Sequence, residues 1–184
     1  MEELKETFLK KILPIIIIII IIGSGILILN HINIKKNMDN LNNYIKDNKY
    51  TIDKYNLYTL TKKDNNTTLT YQLLPENYFI TKTIIAEDDN ENITKITLSY
   101  NKNNTIDIEL EYNGLNKNNN FAIQAQTAKL IDNDFKDCKI VLDNNVDNKC
   151  DIMKEEATIF NDEVKKIIND YEIDLKYIKK SQIK

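Results

Sequence analysis

Arginine and tryptophan do not occur among the 184 residues, and histidine occurs once, at His31. Glycine is confined to positions 23, 25 and 114, so no stretch can form a phosphate-cradling glycine loop or a dinucleotide-binding fingerprint. The serines are Ser24, Ser99 and Ser181, and the single imidazole is poorly placed to act as base for any of them. A formal net charge of -3 leaves no basic surplus for nucleic acid. Two cysteines, Cys138 and Cys150, cannot by themselves complete a structural zinc site. Together these absences argue against an enzyme, and neither a cofactor nor a nucleic-acid partner is expected.

What the chain does have is an uncharged apolar run from Ile12 to Leu29, with isoleucine at every position from Ile15 to Ile22. As a helix this run is roughly 27 Å long, close to the hydrocarbon thickness of a bilayer. Gly23, Ser24 and Gly25 could mark a signal-peptidase site, but Ile26, Leu27, Ile28 and Leu29 carry the run past that cut and favour a retained anchor. A helix apolar all round has little use in the core of a soluble domain this small. Pro14 falls in the first turn, where a missing N–H costs little. Lys10 and Lys11 flank one end and Lys35 and Lys36 the other, so local charge does not orient the anchor. A long domain translocates largely regardless of charge, which favours an inside N-terminus and an outside C-terminal domain. The expected organisation is a cytoplasmic tail (1–11), a transmembrane signal anchor (12–29), a helical stalk or linker (30–49) and an extracytoplasmic domain (50–184). Met38, Leu41 and Ile45 recur at helical spacing in the stalk, which reads as a spacer lifting the domain off the bilayer. Isoleucine, asparagine and lysine abound, which points to an AT-rich bacterial genome, so the sequons at Asn65, Asn66, Asn92 and Asn103 are expected by chance.

From about Tyr50 the apolar period changes from helical to alternating. Ile106, Ile108, Leu110 and Tyr112 alternate with Asp107, Glu109 and Glu111, and Ile96, Leu98 and Tyr100 alternate in the segment before them. Leu69, Tyr71 and Leu73 form a third alternating set, and Phe121, Ile123 and Ala125 a fourth, set against Ala122, Gln124 and Gln126. Weaker strands are expected at 52–60, 78–85 and 139–143. Short polar breaks favour hairpins, hence an antiparallel meander of about six or seven strands with one face buried. Met153, Ala157, Phe160, Val164, Ile167, Ile168, Tyr171, Leu175 and Ile178 form one stripe of a long C-terminal amphipathic helix that would cover that face. Asp151 is placed to cap its start, and Lys176, Lys179 and Lys180 lie near its negative end. The fold class is therefore α+β: an N-terminal transmembrane helix, then a sheet packed on one long helix.

Cys138 and Cys150 bracket the last strand and the turn before the helix, and outside the cytoplasm a disulfide is the natural reading. Asp143, Asn145, Asp147 and Asp151 occupy the first, third, fifth and ninth positions of a calcium-loop pattern. That pattern breaks at Asn148, where glycine belongs, and at Lys154, where the closing glutamate belongs. Asp107, Glu109 and Glu111 space carboxylates about 7 Å apart on one strand face, which a two-carboxylate hydrolase could use and a solvated sheet face explains with less.

An apolar N-terminal helix, a stalk, an antiparallel sheet and a late cysteine pair in that order resemble a type IV pilin or pseudopilin. The sequence departs from that family at its processing motif. Thr7 precedes Phe8 where the family has glycine, and Ile12 stands where the family has its glutamate. A long C-terminal helix is also foreign to the family. The expected role is a non-catalytic binding or scaffold module of a bacterial envelope, partnered by the bilayer through Ile12 to Leu29 and by an envelope protein. The alternative is a carrier or sensor holding an apolar ligand in a pocket lined by Ile108, Leu110 and Phe160, and a pilin-like subunit is a minor third.

Overall fold

The computed structural model describes residues 13–54, 57–115, 118–142 and 148–178. The tail 1–11, Ile12, and the expected helix residues Lys179 and Lys180 lie outside them. Helix α1 (Leu13–Asp47) spans 35 residues, about 52 Å at the usual helical rise. Its isoleucine half is exposed, and among the described residues it is the one helix long and apolar enough to cross a bilayer.

Eight strands follow in an antiparallel meander whose spatial order is the chain order: β1 (Thr51–Ile52), β2 (Tyr58–Asp64), β3 (Thr67–Leu73), β4 (Ile80–Glu87), β5 (Ile93–Tyr100), β6 (Thr105–Leu115), β7 (Phe121–Ile131) and β8 (Asp134–Leu142). The count exceeds the expected six or seven because 52–60 is not one strand. It holds the end of β1 and the start of β2, with Thr51 opposite Thr59. Turns that would ordinarily take glycine are made by Asn and Asp in this glycine-poor chain. Asp132 and Asn133 both have positive φ, as a two-residue hairpin between right-twisted strands demands.

One face of the sheet is covered. A row running Leu60, Tyr71, Lys82, Leu98, Ile108 and Ala128 crosses its middle, and beside it Leu73, Ile80, Tyr100, Ile106 and Leu130 share the same face. Helix α2 (Cys150–Asp170) crosses β5, β6 and β7 on that face and buries Met153, Ala157, Phe160 and Val164. The second half of α1 joins the same packed cluster through Met38, Leu41 and Tyr44. The spacer reading of that segment is therefore corrected: its apolar face is core.

Three further expectations change. First, α2 ends at Asp170 and does not run on to Ile178. Glu172 takes a left-handed φ of 50°, and the chain folds back through a 3-10 turn (Leu175–Tyr177). The stripe residues Leu175 and Ile178, with Ile173, are buried beside α1, where Asn37 donates to the carbonyl of Asp174 (2.9 Å) and accepts from its N–H (2.6 Å). Second, Asp151 lies in the first helical turn and does not cap α2. The Asn148 carboxamide oxygen accepts from the N–H of Cys150 (2.9 Å), and Gln126 accepts from that of Lys149 (3.0 Å). Third, β7 faces the other way from its alternation. Ala122, Gln124 and Gln126 point into the core, while Phe121 and Ile123 are exposed. Holding the start of α2 requires Gln126 inside, and the period of two then turns Phe121 and Ile123 out.

Candidate binding cleft

Where α1 ends, the chain passes Asn48 and enters β1 through Tyr50, leaving an open cleft of about 430 Å³ between α1, β2, β3 and α2. Four tyrosines line it: Tyr44 from α1, Tyr50, Tyr71 from β3 and Tyr171 from the end of α2. The hydroxyls of Tyr44 and Tyr50 lie 3.0 Å apart in a hydrogen bond, and the Tyr171 ring meets Tyr44 edge-on with centroids 5.0 Å apart. Burial pushes the phenol pKa values of Tyr44, Tyr50 and Tyr71 above the ordinary range, so these walls stay neutral near pH 7.

Charge enters from below and from the rim. Lys82, on the covered face of β4, donates to both carboxylate oxygens of Glu163 at 3.0 Å and lies 5.7 Å from the Tyr71 ring centroid. Its side chain is 5% exposed against 36% for Glu163. Lys62, 5.9 Å from the same ring centroid, together with Lys166 and Asp170, lines the rest of the cleft. Neutral aromatic walls, an aliphatic patch from Leu60 and Ile167, and charges of both signs suit an amphipathic ligand. Spacing could not reveal this site, because its tyrosines are far apart in sequence. The available signal was compositional: ten tyrosines in a chain without tryptophan.

The residues singled out from sequence fall elsewhere. Cys138 on β8 and Cys150 at the start of α2 stand at disulfide distance, their Cα atoms 6.0 Å apart. Asp143, Asn145 and Asp147 lie outside the described residues. Asp151 is exposed, and among the described residues no group of three or more His, Cys, Asp and Glu side chains could hold a metal ion. Asp107 accepts from the Tyr78 hydroxyl (2.8 Å) and pairs with Lys129 (3.8 Å), while Glu111 pairs with Lys95 (3.0 Å). Two of the three carboxylates, Asp107 and Glu111, are thus built into contacts with neighbouring strands, and no member of the row lines the tyrosine cleft. Ile108, Leu110 and Phe160, the expected lining of an apolar pocket, are buried together in the packed core. Ser24 donates to the carbonyl of Ile21 within α1, and Ser99 is hydrogen-bonded to Thr81. Ser181 lies outside the described residues.

No protein-family model matches this chain, and no curated protein or solved structure matches it.

Proposed function

We propose that this chain is a single-pass membrane protein that holds a non-catalytic binding domain on the outer side of a bacterial membrane, with the tyrosine cleft as its recognition site. The observation that carries the reading is the division of α1. Its first half, Ser24 apart, offers apolar side chains to the surroundings, and its second half is part of the domain core. A cysteine pair at disulfide distance supports an oxidising compartment, hence the outside. Tight packing around Ile108, Leu110 and Phe160 favours surface recognition over carriage of an apolar ligand.

The reading is tested by placing a photo-crosslinking residue at Lys166, on the cleft, and at the exposed Lys63 as control. The proposal expects a discrete cross-linked envelope component from position 166 and none from 63. Equal or absent cross-linking at both, with the protein folded and membrane-bound, would rule out the cleft as the binding site. The division of α1 also favours a second reading, a pilin-like subunit whose protruding apolar half packs against other copies. That reading requires the chain in filaments sheared from cells, whereas the anchor reading keeps it in the membrane fraction.

A further inference from the structure

The uncovered face of the sheet carries its apolar residues at one end. Phe121 is 66% exposed and lies opposite Leu115. Ile123 is two residues along β7, Ile93 lies one strand beyond its partner Asn113, and Leu142 lies opposite Ala125. Side chains of this size present roughly 150 to 200 Å² when free, so with Ile85 the patch is on the order of 500 Å². That is the size of the largest, often functional, patch on a monomer, and its part on β7 and β8 is Phe121, Ile123 and Leu142.

The charges beside the patch indicate what covers it. Glu109 on β6, Thr127 on β7 and Lys139 on β8 lie directly across from one another in one row of this face. The neighbouring row reads Asp107, Lys129 and Lys136. Acids thus stand on β6 and lysines on β8; Lys129, on β7 between them, pairs with Asp107 (3.8 Å) and Lys136 with Asp134 (2.9 Å), and among the described residues neither Glu109 nor Lys139 has an ion-pair partner.

We propose that this face pairs with the same face of a second copy of the chain about a two-fold axis running along β7. Half a turn about that axis sets β6 over β8 of the other copy. Glu109 then meets the second copy's Lys139, Phe121 and Ile123 each meet their own counterparts, and the two Lys129 side chains on the axis are each held by Asp107 of their own chain. Rotation about an axis along β7 preserves direction along it, so both α1 helices leave from the same end, on the outer sides of the pair. One bilayer can hold both. This last point rests on the membrane-anchor reading; the pairing itself does not.

The test uses the full chain in detergent, so it stands whether or not the anchor reading holds. Light scattering on the wild type is expected to show a dimer. Thr127→Cys, on the axis, is expected to form a covalent dimer on mild oxidation, and Lys63→Cys is not. Glu109→Lys should weaken the dimer by about tenfold or more, since it sets lysine against lysine twice, and Glu109→Lys with Lys139→Glu should restore it. Restoration also shows that the single variant had not merely misfolded. A wild type that stays monomeric would overturn the proposal. So would a dimer indifferent to Glu109→Lys that Thr127→Cys does not trap, since another surface would then hold it.

Discussion

Lys82 sits where a lysine is least expected, in the covered face of a central strand, and its charge is tolerable only because both Glu163 oxygens accept from it. The two partners are not equivalent. Removing the carboxylate strands a buried ammonium, whereas removing the ammonium leaves Glu163 at a cleft open to water. Glu163→Gln is therefore expected to destabilise the domain by about 2 to 3 kcal/mol, and Lys82→Met by less than half as much. Thermal unfolding of the two variants would measure this, and equal losses would contradict the asymmetry. Tyr44 and Tyr50 respond to pH. The fold favours their neutral forms, so the stability they contribute is whole below the ordinary phenol pKa of about 10 and is lost as pH rises through the raised values. Between about pH 8 and pH 11, Tyr44→Phe with Tyr50→Phe should lose less stability than the wild type does. A parallel decline in both proteins would mean that other groups set the alkaline limit.

At the scale of elements, α1 is one helix in two settings, its first half exposed and its second half packed in the domain core. Leu41, fully buried, should cost about 2 to 5 kcal/mol of domain stability when replaced by alanine. Ile18→Ala should change it by under about 0.5 kcal/mol in detergent, because that side chain touches no core. Unfolding of the domain followed by circular dichroism separates the two, and an inert Leu41→Ala would return the segment to the role of a spacer. The spacing of Met38, Leu41 and Ile45 made the helix legible in the sequence, but a three-residue stripe does not say what it packs against. Strands such as β6 were legible because aliphatic and acid residues alternate from Ile106 to Glu111. β7 was misread because Ala122, Gln124 and Gln126 are poor core markers, and the need to hold the start of α2 arises only in three dimensions. The end of α2 was hidden for a related reason. Tyr171, Leu175 and Ile178 keep helical spacing, and the left-handed Glu172 and the Asn37 contacts with Asp174 turn the chain away. The tyrosine cleft, assembled from α1, β2, β3 and α2 by the meander, left no signal in the sequence beyond the number of tyrosines.

For the whole molecule, the parts agree on one arrangement. An apolar half-helix leaves the domain beside the 3-10 turn, and the other half is fixed in the core. The cysteine pair ties β8 to α2, and closing that loop would contribute about 3 kcal/mol in the chain-entropy model. Such a tie persists only where thiols oxidise, so the staple and the side of the membrane are one claim. Labelling intact cells with a membrane-impermeant maleimide tests it most directly, on the wild type with and without prior reduction and on Cys138→Ala. The account predicts labelling of the wild type only after reduction, and of the variant, through its remaining Cys150, without it. Thiols that stay unlabelled in intact cells yet react after lysis without reduction would place the domain inside and contradict the account.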